Sequence, residues 1–348
     1  MDAIDIHCLW FNRLSLDYCS RPTNGNGSYR FAIVYSNHCS GGIDLAYATR
    51  KDCMANQLCS ERIAYVAQKD CKVSKLCSEK GEIIMLNVEK INITFNPGTP
   101  IANHALRDVS LKLEEGDYVT VIGGNGAGKS TLLSSVAGTY IPDSGQITIA
   151  GIDVTRLPEY KRATYLGRVF QDPMMGTAAG MNIEENLALA YRRGKRRSMR
   201  WYISSKERKL YRERLATLEL GLENRLGDKV GLLSGGQRQA LTLLMATLKQ
   251  PKLLLLDEHT AALDPKTAPK VLEIGDQIIS SSGLTTLMIT HNMRDAIKHG
   301  NRLIMMNNGQ IVLDVSGEEK KELTVESLIA RFSKVSGEEF AGDQALLG

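Results

Sequence analysis

Nine consecutive residues restrict this chain more than any other feature: Gly123-Gly124-Asn125-Gly126-Ala127-Gly128-Lys129-Ser130-Thr131 follows directly on the β-branched run Val119-Thr120-Val121-Ile122. Leu132, Leu133 and Val136 then recur with the spacing of one apolar helix face. A buried strand, a glycine loop and a helix in that order form the setting of a phosphate-binding loop. Glycines are needed because backbone N–H groups must approach phosphate oxygens unobstructed, and the helix N-terminus adds partial positive charge. The pattern assigns Lys129 to the β- and γ-phosphates and Ser130 to Mg²⁺. Strands and helices alternate on both sides of the loop, so the expected fold class is α/β: a layered P-loop NTPase sheet core.

A second run, Lys252-Leu253-Leu254-Leu255-Leu256-Asp257-Glu258, reads as a buried strand ending in two acids, the Walker B pattern. Asp257 is positioned to hold Mg²⁺, directly or through water, and Glu258 to polarise an attacking water. By itself this could be any apolar strand meeting a surface turn. Leu233-Ser234-Gly235-Gly236-Gln237-Arg238-Gln239 opens a helix-forming stretch, Ala240 to Leu248, and so offers another anion-binding helix N-terminus. One nucleotide does not need two phosphate cradles from one chain.

That segment resembles the signature motif of the ABC ATPase family, and the resemblance extends over about residues 86–315. It implies that Ser234, Gly235, Gly236 and Gln237 cap the γ-phosphate of ATP held by a second subunit. It further implies that Gln171, in Val169-Phe170-Gln171-Asp172-Pro173, is the Q-loop glutamine that senses Mg²⁺ and faces a permease. Asp264 matches the D-loop, His291 matches the switch histidine that contacts the γ-phosphate, and Phe95 is placed like the aromatic that stacks on adenine. The implied catalytic set is Glu258, His291, Gln171 and Lys129. ATP and Mg²⁺ are the implied cofactors, with Ser130, Gln171 and Asp257 as metal residues. The implied partners are a second ATPase subunit in a homodimer, transmembrane permeases and, through them, a solute-binding protein. The sequence departs from the family pattern at Gly124 and His259, where proline is common, and in the helix after the signature, which lacks the usual arginine. With Asp172-Pro173-Met174-Met175-Gly176-Thr177 and Ile183-Glu184-Glu185-Asn186-Leu187, these departures resemble a bacterial importer subgroup that accompanies lipoprotein solute-binding proteins, some linked to tryptophan or tyrosine uptake.

The expected layout is an extension over 1–84, the ATPase domain over 85–315 with a helical subdomain at about 172–248, and a helix with a polar tail over 316–348. All seven cysteines precede residue 80. A direct repeat, Lys51-Asp52-Cys53 to Glu61 recurring as Lys69-Asp70-Cys71 to Glu79, invites a zinc module of Cys53, Cys59, Cys71 and Cys77. Its gaps, however, exceed those between paired zinc ligands. The extension therefore reads as disordered or spurious, with translation starting at Met85. No apolar run reaches the roughly 18–20 residues of a membrane helix, and no signal-peptide stretch opens the chain. A soluble protein held at the cytoplasmic face of the membrane by its partners is expected.

A net charge of +4 with mixed signs argues against a nucleic-acid binder. The cluster Arg192-Arg193-Gly194-Lys195-Arg196-Arg197 with Arg200-Trp201 reads as a solvated face, as a contact for anionic headgroups or an acidic permease loop, or as a nucleic-acid patch. An ABC protein acting on DNA or ribosomes would carry two cassettes or a coiled coil between loop and signature, and a P-loop kinase or GTPase leaves the signature unexplained.

Overall fold

The computed structural model describes residues 83–194 and 203–336, with side chains to 331, and before them the backbone of four strands between residues 10 and 49. Two compact units result, Met1–Gly81 and Glu82–Gly348. In the first, β1 (Trp10–Phe11), β2 (Leu14–Arg21), β3 (Arg30–Ser36) and β4 (Ile43–Thr49) pair in sequence order as an antiparallel meander. The sequence shows no sustained helical or strand period over this stretch. The cysteine repeat, and with it Cys53, Cys59, Cys71 and Cys77, lies outside the described residues.

The second unit is layered. An antiparallel sheet is formed by β5 (Ile84–Phe95), β6 (Asn103–Glu114), β8 (Ser144–Ile149) and β9 (Ile152–Asp153), in the order β6-β5-β8-β9. In β6, Val109, Leu111 and Leu113 are buried while their neighbours are exposed, the alternation of a sheet with one wet face. The larger sheet contains β7 (Tyr118–Gly123), β10 (Leu166–Val169), β11 (Leu253–Asp257), β12 (Thr286–Ile289), β13 (Arg302–Asn307) and β14 (Gln310–Ser316). Its order is β10-β11-β12-β7-β13-β14, parallel except for the β13–β14 pair. β7 and β11 are apolar almost throughout because both faces of this sheet are covered.

Strand β11 shows how one run serves two layers. Leu253 and Leu255 join the core beneath the antiparallel sheet, with Leu86, Leu113, Val121 and the loop helix α1 (Lys129–Ala137). Leu254 and Leu256 point the other way, into a core filled by helices. There α3 (Ile183–Tyr191), α4 (Ser205–Ala216), α5 (Gly235–Thr247) and α6 (Ala268–Ser282) contribute Leu187, Leu215, Leu241 and Leu272. The short α2 (Glu159–Arg162) lies between β9 and β10. The helices of the 172–248 region thus share their core with the sheet. A third core joins Ile122, Leu303 and Met305 to α7 (Met293–Lys298) and, through Leu323 and Leu328, to the C-terminal stretch containing α8 (Gly317–Lys321) and α9 (Val325–Ser336). Lys320 of α8 is buried, and its ammonium donates to the His299 and Gly300 carbonyls.

Candidate functional site

The end of β7 and the start of α1 build the loop. Gly123, Gly126 and Gly128 have φ of 152°, 76° and 98°. A Cβ at Gly128 would lie 2.6 Å from the Ala105 carbonyl oxygen, so both conformation and space demand glycine. Lys129 is buried, and its Nζ donates to the Gly123 and Gly124 carbonyls at 2.8 and 3.0 Å, spanning the loop. Burial pulls its pKa down, opposed by Glu258 and Asp257. Ser130 on the first turn of α1 is exposed, as are Asn125 and Gly126. Gly124 and Thr131 are half-buried and Ala127 is buried.

At the C-terminal end of β11 the two acids differ in their surroundings. Burial pushes the Asp257 carboxyl upward, and the Arg168 guanidinium, 3.5 Å away, works against that shift. Glu258 turns the chain with a left-handed φ of 42°, its N–H donating to Ile289 O at 3.0 Å. Such a conformation in a non-glycine residue costs on the order of 1 kcal/mol or more and aims the side chain away from the strand direction. The Glu258 carboxylate accepts from Gln171 Nε2 at 3.3 Å, and His291 Nδ1 lies 3.7 Å from the same oxygen, Oε2. Two residues that follow β10 and β12 therefore converge on the carboxylate at the end of β11. Gln239 in α5, buried, donates to the Phe170 carbonyl at 3.2 Å and so holds the segment carrying Gln171.

The donor set suits a hard, small cation: a hydroxyl on Ser130, a carboxylate on Asp257 and an amide on Gln171 supply oxygens only. Among the described residues no group of three or more His, Cys, Asp or Glu could hold a metal by itself. Mg²⁺ commonly takes one or two protein ligands and completes its shell with nucleotide phosphates and water.

Ser234, Gly235, Gly236 and Gln237 form a second locus. Ser234 caps α5, its hydroxyl accepting from the Gln237 N–H at 3.3 Å while the Gln237 side chain accepts from the Ser234 N–H. Ser234 and Gly235 are exposed. A Cβ on Gly236 would stand 3.1 Å from Thr267 Cβ, and one on Gly235 would stand 3.4 Å from Leu263 Cδ2. Thr267 in turn donates its hydroxyl to Asp264, whose carboxyl this bond holds below the usual range. The signature and D-loop residues are thus brought together with each other. Phe95 is half-buried against the first core, with its ring 5.1 Å from Tyr140 in an edge-on pair.

Two features were missed in the sequence. Arg168 had one visible signal, a cation inside the otherwise apolar four-residue strand β10. Arg162 had none: it is fully buried and donates to the carbonyls of Leu157, Ser135, Val136 and Thr155, clamping the far end of α1. Within the basic cluster, Arg192 pairs with Glu207 at 3.3 Å and Arg193 donates to Ala246 O at 3.2 Å, so both turn inward. Lys195, Arg196, Arg197, Arg200 and Trp201 lie outside the described residues. Among the described residues no helix is long and apolar enough to cross a membrane.

Residues 106–261 match the family model described as ABC transporter. The chain is 46% identical over 250 residues to a tyrosine transport ATP-binding protein of Clostridioides difficile, covering 71% of this chain and 98% of that one. It is 34% identical over 259 residues to a methionine import ATP-binding protein of Streptococcus thermophilus, covering 70% and 69%. Among solved structures, a dimeric ATP-binding cassette in a post-hydrolysis state with ADP and Pi superimposes with a TM-score of 0.58 at 28% identity, covering 67% of this chain and 98% of that one. The ADP conformation of another ABC transporter cassette gives 0.59 at 27%, covering 73% and 97%.

Proposed function

This chain belongs to the ATP-binding subunits of ABC transporters, and on that premise we propose that two copies close head to tail on two ATP molecules, each site completed by the other copy's Ser234-Gly235-Gly236. ATP binding and hydrolysis coupled to transport through membrane permeases is the activity of the family. The assignment of roles and of a homodimer is our reading. The observation that carries it is the presence in one chain of a phosphate loop with its own acids and of an exposed signature turn with contacts of its own. Lys129, Asp257, Glu258, Gln171 and His291 gather at the phosphate loop, while the exposed signature turn packs with Leu263 and Thr267.

In this reading the backbone of Gly123–Gly128 and the ammonium of Lys129 receive the β- and γ-phosphates, the lysine exchanging its carbonyl partners for phosphate oxygens. Ser130, Asp257 and Gln171 would hold Mg²⁺, which when bound neutralises phosphate charge. Glu258 orients and deprotonates the attacking water, and His291 donates a hydrogen bond to the γ-phosphate as charge builds there. Asp264 lines the contact between subunits, and Phe95 carries the adenine. Loss of the γ-phosphate removes the group that both copies grip, and the pair reopens. The movement passes to the permease through the segment of Gln171.

The cargo class we infer is an aromatic amino acid taken up with the help of a solute-binding protein, with the ATPase on the cytoplasmic face of the membrane. The support is the 46% identity to a tyrosine transport subunit over nearly all of that protein's length. Concentration dependence tests the shared site. Specific ATPase activity is expected to fall on dilution in step with dimer dissociation measured by sedimentation, and Gly235→Asp is expected to abolish turnover while leaving ATP binding by the monomer intact. A demonstrably monomeric form hydrolysing ATP at full speed would remove the reading.

A further inference from the structure

The side chain of Arg168 meets three parts of the nucleotide machinery at once. Its Nη2 lies 3.5 Å from Asp257 Oδ2 and donates to Ser134 Oγ of α1 at 3.3 Å. Its guanidinium carbon sits 4.6 Å from the centre of the Phe170 ring, the residue before Gln171. Nη1 donates to Thr139 Oγ1 at 3.1 Å and lies 3.9 Å from Glu159 Oε1, an exposed carboxylate. Arg168 Nε is buried without a hydrogen-bond partner. The side chains of Arg168 and Asp257 are 15% and 16% exposed, so water screens this pair weakly.

We propose that Arg168 is a positioning residue for the magnesium-binding carboxylate, a resident counter-cation against Asp257 that sets how strongly the ATP site takes up the divalent ion. The proposal rests on the reading of Asp257 as a magnesium residue. The physical argument is competition. A carboxylate already facing a fixed positive charge attracts a second cation less, and at the intermediate dielectric of a half-buried site one full charge at about 4 Å changes that attraction by on the order of tenfold or more. Arginine suits the task because it stays charged at any physiological pH and its planar group can stack on Phe170 while its edge faces the acid. A guanidinium that were only a packing pin, holding β10 to α1 through Ser134 and Thr139, would leave the balance between nucleotide and metal untouched.

The two roles separate in one quantity, the gain in nucleotide affinity that magnesium confers. The full-length protein would be titrated with a non-hydrolysable ATP analogue, with Mg²⁺ and with EDTA, at about pH 8, where carboxylates are ionised. Arg168→Met and Arg168→Gln are expected to raise the magnesium-dependent gain about tenfold while the affinity in EDTA stays within about twofold. Arg168→Lys, which keeps the charge, is expected to stay close to the parent. Asp257→Asn, run alongside, is expected to lose most of the gain. If Asp257→Asn loses the gain but the Met and Gln variants keep the parental value, the reading of Asp257 stands and Arg168 is only a packing residue. Affinities that fall in parallel with and without metal refute the proposal in the same way. A gain that survives Asp257→Asn removes the premise, and the proposal with it.

Discussion

Replacing Glu258 by Gln separates the chemistry of the site from its architecture. The backbone at 258 is left-handed, with φ of 42°, a demand that glutamine meets no worse than glutamate. The side chain keeps an oxygen that can accept from Gln171 Nε2, a contact of 3.3 Å at the long end of hydrogen bonding. A neutral bond of that length contributes about 1 kcal/mol at most, so the unfolding free energy is expected to move by no more than that. The amide cannot take a proton from water. Loss of a positioned general base lowers turnover by about a hundred- to ten-thousandfold, which at ~1.4 kcal/mol per decade raises the barrier by about 3–5 kcal/mol. Phosphate release would be followed together with equilibrium ATP binding and size-exclusion chromatography. The expected outcome is near-parental binding, turnover reduced within that range, and a dimer that accumulates with ATP. Glu258→Asp keeps the base but withdraws it by one methylene from Gln171 and His291, and is expected to fall between the two. A well-folded Gln variant turning over within about threefold of the parent would refute the assignment of the base.

Two further expectations concern stability. Burial, with His299 nearby, pushes the His259 imidazole down to about 4 from an ordinary 6.5, with Asp276 opposing. Between those values the unfolded chain takes up a proton that the folded chain refuses. Stability is therefore full above about pH 6.5 and declines as pH falls toward about 4, by roughly 3 kcal/mol from this group. Urea unfolding of the parent and of His259→Gln across that interval should give a difference that shrinks with acidity, and parallel curves would contradict the burial of a neutral ring. For Arg162→Met, which strips donors from three buried carbonyls and one half-buried one, thermal or urea unfolding is expected to show a loss of about 3–5 kcal/mol. A loss below about 1 kcal/mol would mean that those carbonyls find other partners.

What the sequence made legible were features that are local and periodic. β7 and β11 announce themselves as apolar runs, and the residues assigned to the site, Gly123–Thr131 and Asp257–Glu258, sit where those runs stop. The helix opened by Ser234 is legible for a similar reason, since its cap, Ser234 with Gln237, lies within one turn. Gln171 and His291 could be named only through the resemblance, because what unites them with Glu258 is the parallel order of β10, β11 and β12, which no short window contains. The contacts of Arg168 and Arg162 were beyond reach for a related reason. Arg168 meets Asp257 from 89 positions away, and a buried guanidinium satisfied by backbone carbonyls leaves no partner residue type to look for. The burial of His259 was likewise unreadable: it appeared only as a departure from proline, yet it is 2% exposed. Phe95, assigned to adenine through the resemblance alone, is half-buried against the first core and packs edge-on against Tyr140.

Thr267 is where two obligations of the chain meet. Its methyl side lies against Gly236 and its hydroxyl is committed to Asp264, so both faces of a small residue are already spoken for. The short stretch from Glu258 to Thr267, closed by turn bonds from the Ala261 N–H to Glu258 O and from the Thr267 N–H to Asp264 O, therefore runs from the end of β11 to a contact with the first turn of α5. Larger side chains at 267 would press on Gly236, and ones lacking the hydroxyl would leave Asp264 with only the N–H groups of Lys266 and Thr267. Tolerance for change at this position should be among the narrowest in the chain.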